Sequence, residues 1–376
     1  MTQRIHALAR FGAASLAVLL VAGCGGRGHD HLVVGAVEDA AKGSDPAAAM
    51  ALARRAGFGA IALSAVWTPP LTAPPETELV QLRHAVGAAV AVGIEPIVAV
   101  YSFSGVTPLT PEARGQFASF AASIPRSLPN VHDVIVGNEP NLNLFWMPQF
   151  GTDGSDAAAP AYLALLAETY DAIKGVNPDV NVIGGALASR GSDDPNGKRQ
   201  THSPTRFIED LGAAYRASGR TRPVLDMFSM HPYPEDSSIP PTFGHPKSTS
   251  IGLADYGKLT SLLGAAFGKA PPIVYGEYGI ETTIPPSESQ AYTGTEPPTT
   301  GAVDVATQRA YYVKAIELAA CQPLVRMLLF FHVSDEARLE GLQSGLFYAD
   351  GQPKPDLGAV ARAARDSADG KLKCSS

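Results

Sequence analysis

The sequence predicts an α/β fold, a single (β/α)8 TIM barrel with long βα loops, over residues 32–370. Two observations lead to this prediction. Eight short apolar runs rich in β-branched residues each precede a longer segment in which Ala and Leu recur at helical spacing. Buried parallel strands have this continuous apolar character, and eight strand–helix units are the number that closes such a barrel.

The predicted elements are bounded by Gly, Pro or Asn residues that interrupt the apolar pattern. The strands are Leu32–Val37, Ala60–Val66, Glu95–Tyr101, Asp133–Gly137, Val180–Gly184, Met227–His231, Ile273–Gly276 and Arg326–His332. The helices are Pro46–Ala56, Glu76–Val92, Pro111–Leu128, Ala159–Val176, Thr205–Ser218, Ile251–Phe267, Val303–Cys321 and Asp356–Ala368.

An open, doubly wound sheet is the alternative fold. Such sheets carry a glycine-rich phosphate turn after the first strand, whereas Gly35–Asp39 brings two carboxylates there. The Pro- and Ser-rich connections fit a barrel as loops that build walls around a cleft. They are Thr68–Pro75, Gly151–Ala158, Ser189–Pro204, Pro234–Ser250 and Thr282–Gly301.

The composition excludes several classes of protein. Of 376 residues, 45% are hydrophobic and 17% charged, which is typical of a globular chain and not of a disordered, collagenous or coiled-coil one. The 29 Lys and Arg against 36 Asp and Glu give a net charge of −7. A negative chain without a basic run is not expected to bind nucleic acid or anionic membrane surfaces. We expect a monomer.

Residues 1–23 have the character of an export signal. Arg4 and Arg10 precede the apolar stretch Phe11–Ala22, which is too short to span a bilayer but suits a secretory signal. The ending Leu20–Cys24 resembles a bacterial lipobox, which implies a lipid on Cys24. Residues 24–31 then form a flexible tether. We therefore expect an exported lipoprotein, anchored in a membrane and facing outside the cytoplasm. The alternative is an ordinary signal peptide with Cys24 incidental.

Two further pairs of residues leave alternatives open. His29 and His31 in the tether are either metal ligands or without function. Cys321 and Cys374 are an even pair in an oxidising compartment, which predicts a disulfide that ties the tail, residues 371–376, to a late helix. The alternative is two free thiols, with Cys321 buried in its helix.

Two glutamates carry the functional prediction. Glu139 follows the fourth strand and Glu277 the seventh, at the barrel end where loops bring catalytic residues together. Strands three apart in an eight-membered ring place these side chains across the mouth at a distance of about 5 Å. This gap suits double displacement at a sugar, in which one carboxyl group protonates the leaving oxygen and the other attacks the anomeric carbon. Alone, Glu139 in Asn138-Glu139-Pro140 also fits the entry of a helix.

The run Gly137–Trp146 (GNEPNLNLFW) resembles the strand-four motif of the family 39 glycoside hydrolases, which include β-xylosidases, α-iduronidases and exopolysaccharide glycosidases. Their clan uses a (β/α)8 barrel with glutamates on strands four and seven. The resemblance implies that Glu139 is the acid/base, Glu277 the nucleophile, and Asn138 a partner of the sugar 2-hydroxyl.

Two other segments resemble the same clan. Ser229–Pro234 (SMHPYP) implies that His231 and Tyr233 lie beside the nucleophile, although both also fit purely structural roles. Gly345–Gly351 resembles the turn between the last strand and helix. The chain departs from the clan where many members have Trp after strand eight, since Phe331-His332 stand there.

Further candidates for sugar binding stand at strand ends. Aromatic rings bury the apolar faces of sugars. We expect this of Trp67, Tyr101, Trp146 and Phe331, with ordinary packing as the alternative. Side chains that could bind sugar hydroxyls are Glu38, Asp39, His332 and Asp335.

The sequence as a whole predicts a retaining glycosidase that hydrolyses a β-linked oligo- or polysaccharide outside the cytoplasm, with no metal or organic cofactor. Its partners are then a carbohydrate substrate and the membrane that holds its lipid. Two alternatives stay open. One is a carbohydrate-binding envelope lipoprotein without activity on the same barrel. The other is a transglycosylase, which uses the same carboxylates but passes the sugar to another sugar.

Overall fold

A computed structural model of the chain describes residues 31–297, 300–355 and 357–374. Eight parallel strands close into a barrel in chain order, with the first strand also paired to the last. This confirms the predicted fold. The strands are β1 Val33–Val37, β2 Ala60–Val66, β3 Glu95–Tyr101, β4 Asp133–Val136, β5 Asn181–Ala188, β6 Met227–His231, β7 Ile273–Tyr278 and β8 Val325–Phe331.

The helices cover the outside of the barrel. They are α1 Pro46–Arg55, α2 Glu76–Ala91, α3 Pro111–Ser127, α4 Ala158–Val176, α5 Pro204–Ala217, α6 Tyr256–Phe267, α7 Val305–Ala320 and α8 Leu357–Ala368. Several begin with a side-chain cap and a proline in the first turn, as Thr110 and Ser203 do before Pro111 and Pro204. Each of the described helices falls short of the length or the apolarity needed to cross a bilayer.

The barrel has two apolar layers because side chains alternate along each strand. One set fills the barrel interior and includes Ile97, Ile135 and Ile183. The other packs against the helices and includes Val98 and Val134. Since both faces are buried, the strands need apolar residues at successive positions, which explains the continuous runs in the sequence.

Several element ends differ from prediction, most of them by one residue. β5 runs to Ala188 and β7 to Tyr278, because backbone pairing continues where the apolar pattern stops. Helix α6 begins at Tyr256 and not at Ile251, since a single 3₁₀ turn, Leu253–Asp255, precedes it. Asp255 holds this turn by accepting the backbone N–H of Gly252 at 2.8 Å.

Cys321 and Cys374 form a disulfide bond with a Cα–Cα distance of 5.4 Å. Cys321 follows α7 and is exposed, so the alternative of a buried helical thiol is wrong. The bond holds the segment after α8 against the end of α7. The predicted signal peptide, Cys24 and His29 lie outside the described residues.

Candidate active site

Glu139 lies on a tight backbone turn directly after β4. Gly137 has φ +89° and Glu139 φ +39°, which are left-handed values that few L-residues adopt. A Cβ atom at position 137 would lie 2.9 Å from Cε2 of Tyr162 in α4, so only glycine fits there. A strained backbone of this kind persists where its surroundings hold it and is common at functional sites.

Hydrogen bonds to β5 hold this turn in place. The N–H of Glu139 donates to the carbonyl of Ala186 at 2.8 Å. Asn141 is fully buried, and its amide donates to the carbonyls of Ala188 and His202 while accepting the N–H of Ala188 at 2.9 Å. Asn141 therefore positions the loop that carries Glu139. The sequence contained this residue within the GNEPN motif, but no role was predicted for it.

Glu277 is part of β7 and faces the barrel mouth. The preceding residue, Gly276, packs against β6: a Cβ atom there would lie 3.1 Å from Nε2 of His231 and closer still to Ser229 Oγ. Glycine at 276 thus lets β7 approach β6, which brings Glu277 beside the side chains that follow β6.

The two glutamates meet around His231 and Tyr233. His231 Nδ1 donates to Glu139 Oε1 at 3.2 Å and lies 3.7 Å from Glu277 Oε2. The hydroxyl of Tyr233 donates to Glu277 Oε2 at 3.1 Å. One donor atom each from Glu139, His231 and Glu277 lies within 4.8 Å of the other two. The carboxylates are 16% and 17% exposed, so the cluster is largely, but not fully, shielded from water.

Burial and charge shift the pKa values of this cluster. Burial raises the pKa of the Glu277 carboxyl. The charge of His231 opposes this rise, the Glu139 carboxylate adds to it, and the hydrogen bond from Tyr233 lowers the pKa again. Burial alone would lower the pKa of His231, but the carboxylates of Glu277 and Glu139 raise it above its ordinary value. Burial and the same two carboxylates keep the pKa of Tyr233 well above 10, so its hydroxyl stays protonated and donates.

Glu139, His231 and Glu277 are also a set of donors that could hold a metal ion. Each is already hydrogen-bonded or within 4 Å of an opposite charge inside the cluster. Two carboxylates and one imidazole therefore satisfy one another without an ion. The absence of a metal from the reaction stays a prediction.

Two cavities meet at the glutamates. The first, here called the central cavity, has a volume of about 410 Å³ and is lined by both glutamates together with Asn138, His231 and Phe331. The second, here called the β5–β7 cavity, has a volume of about 720 Å³ and lies among the loops that follow β5, β6 and β7. Glu139 lines both cavities, whereas Glu277 lines the central cavity.

An aromatic cluster forms one wall of the central cavity. Tyr101 contacts Phe103 and Phe145 edge-on, and the latter two rings stack with centroids 5.5 Å apart. Phe103 is 46% exposed and Leu144, beside it, 59% exposed, which is unusual for apolar side chains of this size. Sequence reasoning named Tyr101 alone. The apolar run Leu144-Phe145 in an otherwise polar loop was the available signal for the rest.

Two predicted stacking residues are corrected by the structure. Trp67 is fully buried in the helix layer, where its indole N–H donates to the carbonyl of Leu71 at 2.8 Å. Trp146 is 3% exposed and packs edge-on against Tyr162. Neither ring has a free face, so neither can stack on a sugar. Both side chains turn into the helix layer instead of the cavity.

Two predicted hydroxyl-binding carboxylates also have structural roles. The buried Glu38 accepts the backbone N–H groups of Val333 and Ser334 at 3.0 and 3.3 Å, which ties the end of β1 to the loop after β8. Asp335 is buried and accepts from Lys354 Nζ at 2.9 Å and Tyr292 OH at 2.7 Å. Their oxygens are therefore used within the protein.

Asp39 and His332 remain near the site. Asp39 is half-buried and lines the central cavity, and its Oδ1 accepts the N–H of Ser64 at 2.7 Å. His332 Nδ1 donates to the carbonyl of Val37 at 2.9 Å, which leaves Nε2 without a hydrogen-bond partner. Glu336 Oε1 lies 3.7 Å from this atom, beyond hydrogen-bond length. His332 thus presents an unused nitrogen next to the cavity that the glutamates line.

Comparison with solved structures finds the same barrel in glycoside hydrolases. An exo-β-1,4-mannosidase from Opitutaceae bacterium strain TAV5 aligns with a TM-score of 0.58 and 18% identity, over 92% of this chain and 61% of that one. A GH39 β-xylosidase from Caulobacter crescentus has a TM-score of 0.55 and 18% identity, over 89% and 71%. A GH5-4 broad-specificity endoglucanase from Clostridium longisporum has a TM-score of 0.56 and 13% identity, over 86% of each chain.

These likenesses establish a shared fold. They agree with the resemblance to a barrel clan of glycoside hydrolases that the GNEPN motif indicated. The chain spans 61% of the length of the mannosidase, so that enzyme contains much that has no counterpart here. No protein-family model and no curated protein sequence matches the chain.

Proposed function

We propose that this protein is a retaining glycoside hydrolase that cleaves β-linked sugars by double displacement. The observation that carries the proposal is the pair of glutamates, Glu139 and Glu277, with oxygens within 4.8 Å of each other across the barrel mouth. Retaining enzymes hold their two carboxyl groups about 5–5.5 Å apart, whereas inverting enzymes need about 6.5–9.5 Å to admit a water molecule. The activities of the solved neighbours, on mannosides, xylosides and glucans, support the same class of substrate.

The surroundings support different roles for the two glutamates. Two carboxylates this close disfavour a second negative charge, and burial together with the Glu139 carboxylate raises the pKa of the Glu277 carboxyl. Tyr233 donates to Glu277, which supports the ionised form of that carboxyl, and His231 donates to Glu139. Glu139 also borders the β5–β7 cavity, where a leaving sugar has room. We assign Glu139 as acid/base and Glu277 as nucleophile.

The reaction then proceeds in two steps. Glu139 gives its proton to the glycosidic oxygen as the bond between that oxygen and the anomeric carbon breaks, while Glu277 forms a bond to the same carbon from the opposite face. Glu139, now a carboxylate, removes a proton from water, which attacks the anomeric carbon and releases Glu277. Tyr233 holds the nucleophile in place, and His231 is hydrogen-bonded to the acid/base and lies 3.7 Å from the nucleophile. Asn138 and Tyr101 contact the bound sugar.

Covalent trapping tests the proposal. A panel of 2-deoxy-2-fluoro β-glycosides with good leaving groups should add one sugar to Glu277, detected by intact mass and peptide mapping, because these reagents slow release more than attack. Glu277→Ala should abolish turnover. Glu139→Gln should slow substrates with poor leaving groups by a factor of about 10² to 10⁴ and spare activated ones. Glu112→Gln, on the exposed first turn of α3, is the matched control and should behave as wild type.

The other outcomes separate the alternatives. Sugar binding without labelling or turnover would replace the enzyme with a carbohydrate-binding protein. Labelling at a residue other than Glu277 would overturn the role assignment. Transfer of the trapped sugar to an added acceptor in preference to water would identify a transglycosylase, which uses the same two carboxylates.

We further propose that the chain is exported and lipid-anchored. The support is the apolar stretch Phe11–Ala22 followed by the lipobox-like ending at Cys24. A substrate polymer outside the cell would then be cut near the membrane that holds the enzyme. Incorporation of labelled palmitate into wild type, and its loss with release of the protein in Cys24→Ser, is the expected result. Equal membrane association of both proteins would contradict it.

A further inference from the structure

A third cavity adjoins the site beside the loop that follows β8. It has a volume of about 820 Å³ and lies between the loops after β1 and β8 and the first half of α1, and we call it the β1–β8 cavity. Asp39, His332 and Glu336 line both this cavity and the central cavity. The β1–β8 and central cavities therefore adjoin through these side chains, and the central and β5–β7 cavities adjoin through Glu139. We call the three cavities together the cleft.

The loop after β8 borders both ends of this cleft. Glu340 and Gly341 line the β1–β8 cavity and the β5–β7 cavity alike. Glu336, at the start of the same loop, lines the central cavity. The same loop therefore borders all three cavities. With volumes of about 410, 720 and 820 Å³, they offer more room than one terminal sugar needs.

The positions of the glutamates give the cleft a direction. In double displacement the sugar that is attacked keeps the bond to the nucleophile, and the leaving sugar takes the proton from the acid. Glu277 lines the central cavity, and Glu139 lines the central and β5–β7 cavities. The leaving, reducing-end part of a chain therefore lies in the β5–β7 cavity, and the non-reducing-end part extends into the β1–β8 cavity.

His332 marks the passage from the central cavity to the β1–β8 cavity. It is 8% exposed, its Nδ1 is committed to the carbonyl of Val37, and its Nε2 has no hydrogen-bond partner. A buried polar atom without a partner costs free energy unless a ligand or water satisfies it. A sugar hydroxyl in the passage would supply that partner. Asp39 and Glu336 flank the same passage with carboxylate oxygens.

The charge of the β1–β8 cavity restricts the sugars it can take. Four carboxylates that are at least partly exposed line it, whereas Arg338 is its one lining residue with a permanent positive charge among the described residues. Arg338 lies 3.5 Å from Glu340, and Lys42 Nζ lies 3.1 Å from Asp39, so these charges compensate in pairs. Glu336 and Asp350 are the partly exposed lining carboxylates left without a Lys or Arg at ion-pair distance among the described residues, and they make the cavity negative. Uronic or sulfated sugars would be repelled here. Neutral sugars and protonated amino sugars would not.

We infer that the β1–β8 cavity binds the non-reducing-end sugars of a neutral or amino-sugar polymer, and that the enzyme cuts within chains and not from their ends. This inference rests on the proposed function. It adds a binding site for at least one sugar beyond the one attacked, contacted by His332, Asp39 and Glu336.

A pair of substitutions on α1 tests the site. Ala48 is exposed and lines the β1–β8 cavity, whereas Ala47, its neighbour, is exposed and does not. Ala48→Trp fills the cavity, and Ala47→Trp is the matched control. The substrates are β-1,4-linked manno-, xylo-, gluco- and glucosamine oligosaccharides of two to eight units, oligomannuronates as acidic controls, and the aryl glycoside of the sugar that labels fastest. Products are sized by chromatography with one end labelled.

The expected result has three parts. Wild-type kcat/KM rises with chain length beyond three units, and internal bonds are cut first. Ala48→Trp lowers kcat/KM on the longest substrates at least tenfold relative to Ala47→Trp, while both cleave the aryl glycoside within twofold of wild type. Oligomannuronates are cleaved at least tenfold more slowly than neutral chains.

Other results overturn the inference in distinguishable ways. If Glu277 is labelled but one terminal unit is released at a time, or if both tryptophan variants behave alike on long chains, the β1–β8 cavity is not a subsite and the proposed function stands. If oligomannuronates are the better substrates, the assignment of the sugar class is wrong. If no reagent labels Glu277 and no chain is cleaved, the proposed function fails and this inference fails with it.

Discussion

Removal of one hydroxyl from the active site should shift the pH dependence of activity in a known direction. Tyr233 donates a hydrogen bond of 3.1 Å to Glu277, whose side chain is 17% exposed. Burial raises the pKa of Glu277, and this hydrogen bond is one of three interactions that oppose the rise, the others being the charges of His231 and His332. In Tyr233→Phe the donor is lost and the pKa of Glu277 rises further.

The size of the shift follows from the strength of the bond. A hydrogen bond to a charged group contributes about 1.5–3 kcal/mol, and one pKa unit corresponds to about 1.36 kcal/mol. The full effect would be about 1 to 2 units. His231 lies 3.7 Å from the same oxygen and compensates in part, so we expect about 1 unit.

The sign follows from the role of nucleophile that we propose for Glu277. Glu277 must be ionised to attack, so kcat/KM falls as the pH drops through its pKa. A higher pKa moves this acid limb to higher pH, and the limb of wild type already lies above the ordinary glutamate range. The basic limb, which reports loss of the proton from the acid/base, should stay in place.

The measurement is kcat/KM on an aryl β-glycoside from about pH 3 to pH 9. Tyr101→Phe is the matched control, because its hydroxyl lies 3.4 Å from Ser64 Oγ in the same cavity and does not contact either glutamate. We expect its acid limb to coincide with that of wild type. An acid limb in Tyr233→Phe that stays in place or moves to lower pH would refute the assignment of Glu277 as the ionised nucleophile.

Two predictions concern stability. Lys354→Met leaves Asp335 buried without its ion-pair partner, so the free energy of unfolding in urea should fall by about 3–5 kcal/mol. Lys314→Met, at an exposed ion pair on α7, is the control and should change this free energy little. Equal effects of the two substitutions would contradict the stabilising role of the buried pair. Reduction of the Cys321–Cys374 bond, which closes a loop with a sequence separation of 53, should lower the free energy of unfolding by up to about 4 kcal/mol. An unchanged free energy of unfolding after addition of a reductant would contradict this prediction.

The bounds of the strands show how far an apolar pattern predicts structure. β2, β3 and β6 begin and end where the sequence predicted. β5 and β7 continue beyond their predicted ends, because glycine and glutamate interrupt the apolar run but not the backbone pairing. Ala188 still pairs with His231, and Tyr278 still pairs with Phe330. Backbone hydrogen bonds do not depend on side-chain polarity, so a pattern of side chains underestimates such strands.

The pairing of the glutamates could be predicted because it depends on strand order alone. The aromatic residues could not, because their orientation depends on single positions. Side chains alternate between the barrel interior and the helix layer, so a shift of one residue at a strand end changes the face. Tyr101 points into the central cavity. Trp67 turns into the helix layer, although its backbone N–H donates to the carbonyl of Tyr101. Phe103 and Phe145 lie in loops, where no periodicity applies.

If Glu139 and Glu277 have the proposed roles, their different settings explain why Glu139 can act twice. Glu277 is part of a strand and is held by Tyr233 and by the close packing of Gly276 against β6, which keeps its angle of attack constant. Glu139 lies on a loop turn that borders two cavities. The same carboxyl can therefore protonate a departing sugar and, once that sugar has left the β5–β7 cavity, meet the water that replaces it. A nucleophile fixed by the sheet and a proton carrier at the cavity boundary are what two successive displacements at one carbon require.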